Sequence, residues 1–394
     1  MGKLKGNVLI GQSGGPTAVI NQSLLGVIEQ ARRDPRVRQV LGARHGVRGM
    51  LEDKFVRLDK QPAVALAAIA KQPGAALGSV RKKPTEEECV RIVEFCRKRD
   101  VRWLYYIGGN DSAETAQLLE KVAERSTWEM QLFHVPKTID NDLCETDHCP
   151  GFGSAARFVA LALMGDDLDS RALPGIKLDV IMGRNAGWLT AASALARVRA
   201  DDGPHLVYVP ERSFDLEAFA RDVEAVRQRL GRCVVAVSEG VRGADGKTVA
   251  VTKEVDAHGN AVLSGSGALG DFLAAELKRR LGDKLRVRAD TFGYLQRSFY
   301  GCVSSTDARE ARAVGRAAVR FAREGGPRSG SVVIRRIPGK TYRVEYGWVE
   351  LERVAHVTQS LPERYLGRGA DVSEEFLAYA RPLVGGLPRP VVLP

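Results

Sequence analysis

The sequence predicts an α/β protein with two domains, each a doubly wound, mainly parallel sheet between two layers of helices. Short apolar segments alternate with amphipathic segments of helical length along most of the chain. The alternation runs in two series, the second starting near Gly151, and 394 residues suffice for two domains of ordinary size. Together these observations favour two Rossmann-like α/β/α domains. An active-site cleft is expected between them, because parallel sheets bind ligands at the carboxyl ends of their strands.

The first series forms the predicted first domain, residues 1–150. Its predicted elements are a strand at 7–12, a turn and helix over 13–33, a helix at 86–100, a strand at 103–109, a helix at 112–126 and a strand at 132–137. Pro16 lies near the start of the first helix, where its missing N–H is harmless. The strand–helix–strand order predicts parallel pairing with right-handed crossovers.

The second series forms the predicted second domain, residues 151–297. Its predicted elements are helices at 153–172, 187–198 and 216–230 and strands at 177–183, 205–211 and 233–240. Residues 242–263 do not follow this alternation of strands and helices. Two Gly-containing turn signals flank a segment of alternating apolar and polar residues, which predicts a β-hairpin insertion. After Arg297 the sequence predicts a helix over 306–325, a basic β-rich segment over 331–351 and a Pro-rich tail.

Composition excludes several classes of protein. A hydrophobic content of 44% with 27% charged residues is typical of a globular protein. The net charge of +11 is spread along the chain without a basic arm, so we expect no nucleic-acid partner; a positive surface also steers small polyanions. No segment approaches the roughly 20 apolar residues of a membrane span, and the first residues do not resemble a signal peptide. We therefore expect a cytoplasmic protein without a membrane partner.

The six cysteines contain no Cys-x-x-Cys pair. Cys144, His148 and Cys149 are close in sequence, but their spacing matches no zinc pattern. Reduced thiols are the favoured interpretation.

Two polar segments follow predicted strands and carry the most chemistry. Ile107–Ser112 reads IGGNDS, and Pro136–Asp142 reads PKTIDND. Because both follow strands of one sheet, their carboxylates and their lysine are expected at one edge. Carboxylates beside a lysine and exposed glycine amides suit Mg²⁺ and phosphate. Solvated turns are the alternative for either segment alone.

A Gly-rich turn follows the first strand. Gly14 and Gly15 lie between that strand and a helix, where free amides attract a phosphate; a tight turn without a ligand is the alternative. The segment is neither GxGxxG nor a P-loop lysine motif, so nucleotide motifs give no support for ATP.

In chain order the sequence resembles the 6-phosphofructokinases, and within that family the pyrophosphate-dependent branch. The similar segments are GQSGGPTAVIN (Gly11–Asn21), LGSVRKK (Leu77–Lys83), IGGNDS, PKTIDND, MGRNAGW (Met182–Trp188), PE (Pro210–Glu211), SEG (Ser238–Gly240) and GYLQR (Gly293–Arg297). The resemblance implies a donor domain of residues 1–150 with about 298–345, and a fructose 6-phosphate domain of residues 151–297 with about 346–394.

For the donor side, the resemblance implies that Asp140 is the base that accepts the proton of the sugar C1 hydroxyl, with Thr138 and Ile139 beside it. Arg81 would reach the transferring phosphoryl group. Pyrophosphate would bind to Gly14, Gly15, Arg81 and Lys137, and Mg²⁺ to Asn110 and Asp142.

For the acceptor side, the resemblance implies a pocket for the sugar phosphate. Its residues would be Met182, Gly183, Arg184, Glu239, Arg288, Tyr294 and Arg297. Arg288 would reach across a subunit interface, which implies a homodimer or homotetramer; a surface residue is the alternative. Gly175 replaces a further phosphate-binding arginine of the family.

Two departures from ATP-dependent relatives indicate the donor. Asn110 and Asp111 follow the double glycine where those relatives have Asp and Gly, and Lys137 replaces a glycine. Asp111 would exclude a nucleotide by charge and bulk, and Lys137 would stabilise charge developing on pyrophosphate. We therefore expect pyrophosphate-dependent phosphorylation of fructose 6-phosphate. The alternatives are an ATP-dependent enzyme, a pyrophosphate enzyme for another ketose phosphate such as sedoheptulose 7-phosphate, and a non-catalytic sugar-phosphate sensor.

Overall fold

The computed structural model describes residues 4–249, 267–324 and 329–393. The chain divides into two compact units. The first unit contains the residues up to Ile139, Leu143–Phe152 and Ser305–Thr358. The second contains Asp140–Asp142, Gly153–Ser304 and the residues from Gln359 onward.

Eleven strands are found in the described ranges. They are β1 (Gly6–Gln12), β2 (Val37–Ala43), β3 (Phe55–Arg57), β4 (Val101–Gly108), β5 (Gln131–Pro136), β6 (Ile176–Ile181), β7 (Leu206–Tyr208), β8 (Cys233–Ser238), β9 (Val287–Thr291), β10 (Ser329–Arg336) and β11 (Val344–Val349).

Eleven α-helices accompany them in the same ranges. They are α1 (Ile20–Ala31), α2 (Val47–Leu51), α3 (Ala63–Ala70), α4 (Glu86–Lys98), α5 (Asn110–Arg125), α6 (Phe152–Ala172), α7 (Trp188–Ala192), α8 (Leu216–Leu230), α9 (Ala268–Leu281), α10 (Ser305–Arg323) and α11 (Glu374–Val384).

The first unit contains a seven-stranded sheet in the order β11-β10-β5-β4-β1-β2-β3. Its five central strands are parallel, while β3 and β11 are antiparallel edge strands. Every residue of β1 is buried, as expected for a central parallel strand covered on both faces. Apolar clusters of buried side chains lie on both sides of this sheet.

The second unit contains a four-stranded, fully parallel sheet in the order β7-β8-β6-β9. Strand β8 is fully buried and contains three valines, and β6 is buried except at Lys177. Their last residues, Ile181 and Ser238, are paired. The α/β prediction with two mainly parallel sheets is confirmed.

Local sequence fixes several helix ends. Thr85 and Glu88 form a reciprocal capping box at the start of α4. Asp215 caps α8 by accepting a hydrogen bond from the Ala218 amide at 2.6 Å. Gly231, with φ of 73°, ends that helix in a left-handed conformation.

The return of the chain to the first unit extends from Ser305 to Thr358, not from about 298 to about 345 as predicted. The reason is β11, which pairs with β10 over six residues and so keeps residues past 345 in the first sheet.

The predicted Pro-rich tail contains a helix, α11, in which Pro382 lies near the carboxyl end. The hydroxyl of Ser373 caps this helix by accepting from the Phe376 amide at 3.2 Å. Its buried face includes Phe376, Tyr379 and Leu383. Residues 37–70, for which no elements were predicted, form β2, α2, β3 and α3.

Only the start of the predicted hairpin at 242–263 falls within the described ranges, because these end at Val249 before resuming at Gly267. There Arg242 forms an antiparallel bridge with Thr248 around a turn containing Gly246. The rest of the hairpin prediction lies outside the described residues.

Burial keeps the cysteine thiols of the core protonated. It raises the pKa of Cys89, Cys96 and Cys233 to about 12. Among the helices that the structure describes, none has both the length and the apolar character required to cross a membrane.

Candidate active site

The Gly-rich turn after β1 and the lysine after β5 lie side by side in the first unit. The Lys137 ammonium donates a hydrogen bond to the Gly15 carbonyl at 2.7 Å, and its side chain is buried. Gly14 has φ of +76°, and a Cβ there would lie 3.1 Å from the Lys137 Nζ. The turn therefore lies beside one buried ammonium, an arrangement that suits a bound phosphate.

A second loop of the first unit is held against the same turn. The Gly14 amide donates to the Val80 carbonyl at 3.2 Å, and the Ser79 hydroxyl donates to the Gly14 carbonyl at 2.5 Å. Arg81, the next residue along, is exposed. Arg81 thus follows directly the residue whose carbonyl accepts from the Gly14 amide.

Helix α5 starts at the end of β4 and carries the next candidates in its first turn. Gly109 caps the helix, and Asn110 and Asp111 follow it. Asp111 is exposed and Asn110 is half-buried. A Cβ on Gly109 would lie 3.5 Å from the Lys137 carbonyl, which shows how closely the ends of β4 and β5 approach.

The segment after Lys137 is held by the loop that returns to α6. The Thr138 amide donates to the Pro150 carbonyl at 3.2 Å, and Thr138 forms a parallel bridge with Gly151. The Gly151 amide in turn donates to the Asp307 carboxylate of α10 at 2.8 Å. Thr138 and Ile139 are therefore buried in a rigid surrounding.

Asp140, Asn141 and Asp142 belong to the second unit. The backbone of Asn141 is left-handed, with φ of 57°. Its side chain is buried and donates a hydrogen bond to the Tyr379 hydroxyl at 2.9 Å. The Gln359 amide donates to the Asp142 carbonyl at 2.7 Å. Asp140 and Asp142 remain half-buried on either side of this fixed residue.

Tyr379 was not among the predicted site residues, because no helix was predicted around it. A signal was present: Ser373 precedes two acidic residues and an apolar pattern at helical spacing.

A neutral histidine, His134, lies in β5 three residues before Lys137. His134 donates from Nε2 to the Gly108 carbonyl at 2.8 Å, and its Nδ1 accepts from the Ser331 hydroxyl at 2.8 Å. Burial, together with the nearby Lys137 charge, lowers the pKa of His134 to about 4. His134 is therefore neutral at neutral pH and adds no positive charge beside Lys137.

The acceptor candidates of the second unit meet at the ends of β6 and β8. The Ser238 hydroxyl donates to the Gly183 carbonyl at 2.7 Å, and the Glu239 amide donates to the Ile181 carbonyl at 2.9 Å. A Cβ on Gly240 would lie 2.1 Å from the Arg184 carbonyl oxygen, so only glycine permits this approach. The structure therefore joins the MGR and SEG segments through their backbones.

The GYLQR segment is joined to the same place by Gln296. The Gln296 side chain is buried and accepts from the Met182 amide at 3.3 Å. The segment forms a 3₁₀ turn, Gly293–Arg297, in which the Arg297 guanidinium lies 4.6 Å from the centre of the Tyr294 ring. Gln296 is a positioning residue to which the sequence analysis gave no role.

Arg288 precedes this turn in the chain. It is exposed on the edge strand β9, opposite Lys177 of β6. Glu211, quoted only as part of a motif, has a structural function: its carboxylate accepts from the amides of Gly187 and Leu361 at 2.9 and 2.8 Å. Burial raises the pKa of Glu211.

A buried ionic network of the first unit supports the loop that precedes Gly151. His148 contacts Asp147 at 2.8 Å and Glu310 at 2.6 Å, and the Tyr342 hydroxyl donates to Glu310 at 2.8 Å. Burial alone would lower the pKa of His148, but the hydrogen bonds to Asp147 and Glu310 outweigh it and raise the pKa to about 9. Both His148 nitrogens are thus engaged by carboxylates, which favours a charged, structural histidine.

This network predicts a pH dependence of stability. The stabilisation from His148 is fully present below its ordinary pKa of about 6.5 and is lost as pH rises through 9. The difference in unfolding free energy between wild type and His148→Gln should therefore shrink with pH, by at most about 1.4 kcal/mol per pH unit. Urea unfolding at several pH values measures it. His356→Gln, which changes a half-exposed histidine, is the control, and a pH-independent difference for His148→Gln would contradict the assignment.

Comparison with known proteins gives a consistent result. The family model described as phosphofructokinase matches residues 7–322. The chain is 48% identical over 391 residues to a pyrophosphate–fructose 6-phosphate 1-phosphotransferase of Rhodospirillum rubrum, covering 98% of this chain and 96% of that protein. It is 41% identical over 392 residues to a protein of the same name from Xanthomonas campestris, covering 97% and 92%. The crystal structure of a pyrophosphate-dependent phosphofructokinase from Marinobacter aquaeolei superposes with a TM-score of 0.86 at 32% identity, covering 98% and 93%.

Proposed function

The chain belongs to the phosphofructokinase family, and on this premise we propose that it transfers a phosphoryl group from pyrophosphate to the C1 hydroxyl of fructose 6-phosphate. The products are fructose 1,6-bisphosphate and phosphate, and the reaction is reversible. The observation that carries the proposal is the buried Lys137 ammonium beside the Gly14–Gly15 turn. Pyrophosphate as the donor is also supported by relatives that are 48% and 41% identical to the chain and are named pyrophosphate–fructose 6-phosphate 1-phosphotransferases.

The first unit is the proposed donor-binding unit. Pyrophosphate binds at the Gly14–Gly15 turn, to the Lys137 ammonium and to the Arg81 guanidinium; the Gly14 amide itself is engaged by the Val80 carbonyl. Lys137 is held by the Gly15 carbonyl before the donor binds, so little reorganisation is needed when charge develops on the leaving phosphate. Asp111 carries a negative charge in the first turn of α5 and disfavours the longer polyphosphate of a nucleotide.

The second unit is the proposed sugar-phosphate unit. Met182, Gly183 and Arg184 contact the sugar, and Glu239 accepts hydrogen bonds from its hydroxyls. Tyr294 and Arg297 hold the 6-phosphate, the arginine through its planar fork. Gln296 fixes the 3₁₀ turn against Met182. The residues proposed to hold the phosphate therefore keep a constant position relative to those proposed to contact the sugar.

Asp140 is the proposed general base. It accepts the proton of the C1 hydroxyl as that oxygen attacks the phosphorus atom, and the P–O bond to the leaving phosphate breaks. Asn141 is fixed by Tyr379, and this holds the Asp140 backbone in place. Thr138 and Ile139 line the same segment.

Mg²⁺ is the proposed cofactor. Asn110 and Asp142 offer an amide oxygen and a carboxylate oxygen, a hard donor set that suits this ion, and both side chains are half-buried. When bound, the ion neutralises charge on the transferring phosphoryl group.

A homodimer or homotetramer in the cytoplasm is the proposed state. Arg288 supports it, because an exposed arginine on an edge strand can reach the sugar phosphate of a partner subunit.

The experiment incubates the purified protein with fructose 6-phosphate and pyrophosphate, with and without Mg²⁺. The proposal predicts equal amounts of fructose 1,6-bisphosphate and phosphate, formed only with the metal. Absence of turnover, with the protein shown to be folded, would overturn it. Parallel reactions with other ketose phosphates define the acceptor.

Removing the proposed phosphate-binding arginine should weaken sugar binding selectively. Arg297→Ala should raise the KM for fructose 6-phosphate by roughly ten- to hundredfold, because a hydrogen bond to a charged group contributes about 1.5–3 kcal/mol. The KM for pyrophosphate should change little. Arg279→Ala removes an exposed arginine of α9 in the same unit and should leave both KM values unchanged. Equal effects of Arg297→Ala on the two substrates would indicate a structural role instead.

A further inference from the structure

A cluster of three carboxylates lies in the second unit outside the residues proposed for phosphoryl transfer. Asp166 lies on α6, Asp179 on β6 and Asp290 on β9. Asp179 and Asp290 are direct partners in the parallel pairing of their strands. One carboxylate oxygen of each residue lies within 4.8 Å of those of the other two. Three elements thus converge on one point through acidic groups.

Asp179 is the unusual member of the cluster. Its side chain has no solvent exposure, and neither carboxylate oxygen accepts a hydrogen bond from an N–H or hydroxyl donor in the described part of the chain, although the Asp166 carboxyl group lies close enough to share a proton with it. Burial, together with the neighbouring Asp166, raises the pKa of Asp179 well above its ordinary range. A buried carboxylate without a partner is unfavourable by several kcal/mol, so this one requires a positive partner.

Lys177 supplies only part of that charge. Its ammonium lies 2.5 Å from Asp290 and 3.3 Å from Asp166. One ammonium against three ionised carboxylates leaves two negative charges. Either a proton shared between Asp166 and Asp179 or a divalent cation can compensate this excess.

We propose that Asp166, Asp179 and Asp290 bind one divalent cation of the size of Ca²⁺. Ca²⁺ takes oxygen ligands at about 2.3–2.6 Å, so ligands on opposite sides of the ion are about 5 Å apart, and the separations in the cluster fall within this limit. Asp290 is 57% exposed, which gives the ion a path from solvent and leaves room for water ligands. The Asp179 carboxylate then becomes a ligand of the ion.

The site would link the strands that lead to the proposed sugar pocket. Strand β6 continues into Met182, and β9 continues into the Gly293–Arg297 turn. A bound cation would therefore stabilise the second unit independently of catalysis.

The test is calorimetric titration of the full chain with Ca²⁺ in the absence of pyrophosphate and sugar phosphate. Wild type should bind one Ca²⁺ per chain, and Asp179→Asn should weaken binding by about tenfold or more, since even partners of metal ligands contribute that much. Asp169→Asn removes an exposed carboxylate of the same helix, α6, and should bind as wild type does. Asp142→Asn should also bind normally, which separates this site from the proposed catalytic metal.

Asp290→Asn is a second variant for the case that Asp179→Asn does not fold. The Asp290 side chain is exposed on an edge strand, so the substitution should leave folding intact, and it too should weaken Ca²⁺ binding. Thermal unfolding should show a Ca²⁺-dependent rise of Tm in wild type that both variants lose. No binding of Ca²⁺ at millimolar concentration would overturn the proposal. Wild-type affinity in folded Asp179→Asn and Asp290→Asn would also overturn it, and would leave a shared proton as the partner of Asp179.

Discussion

Asp140→Asn is expected to lower turnover by about 10²–10⁴-fold, the range over which general-base catalysis contributes. Asparagine keeps the size of the side chain but cannot accept the proton of the C1 hydroxyl. Binding of fructose 6-phosphate should be largely retained, because the proposed contacts to the sugar phosphate come from Arg184, Glu239 and Arg297. Steady-state kinetics gives the turnover, and calorimetry with fructose 6-phosphate alone gives the affinity.

Glu145→Gln is a matched control for this variant. Glu145 lies a few residues after Asp140 in the same loop. The substitution removes its exposed carboxylate, which pairs with Arg353. Its turnover should stay close to that of wild type. If Asp140→Asn retained more than about a tenth of wild-type turnover, Asp140 would not be the base.

Lys137→Met should produce the second large loss. Methionine has a similar length and suits the buried position, but it removes the ammonium that donates to the Gly15 carbonyl. Because the charge is expected to act mainly on the transition state, kcat with pyrophosphate should fall by about 10²–10³-fold while its KM changes much less.

The comparison for this prediction is Lys83→Met. Lys83 is a half-exposed lysine that pairs with Glu114, so the same chemical change there should leave kcat nearly unaltered. A large rise in the KM for pyrophosphate with normal kcat in Lys137→Met would assign the lysine to donor binding alone. A loss of folded protein on thermal unfolding would assign it to structure.

The sequence predicted the parts of this molecule that depend on short-range pattern. Alternating apolar segments predicted the parallel strands, and the polar residues after β4 and β5 were expected to lie at one edge of the sheet. The structure joins these ends, since the Lys137 amide donates to the Gly108 carbonyl at 2.9 Å.

What the sequence analysis missed are contacts between distant residues. Tyr379 contacts Asn141 although the two are 238 residues apart in the chain. Gln296 similarly contacts Met182 across 114 residues. Such contacts depend on the packing of whole elements, and no local pattern encodes them. The tail was misjudged for a simpler reason: its five prolines suggested an irregular segment, although the capping signal at Ser373 precedes a helix.

The choice of donor is the claim on which the account depends most. The wild-type protein should be assayed with pyrophosphate and with ATP at saturating fructose 6-phosphate and Mg²⁺, and kcat/KM compared. If Asp111 excludes the nucleotide and Lys137 serves pyrophosphate, the preference for pyrophosphate should be at least about a hundredfold, or roughly 2.7 kcal/mol in transition-state stabilisation. A purified wild-type enzyme that turns over ATP and ignores pyrophosphate would contradict the account.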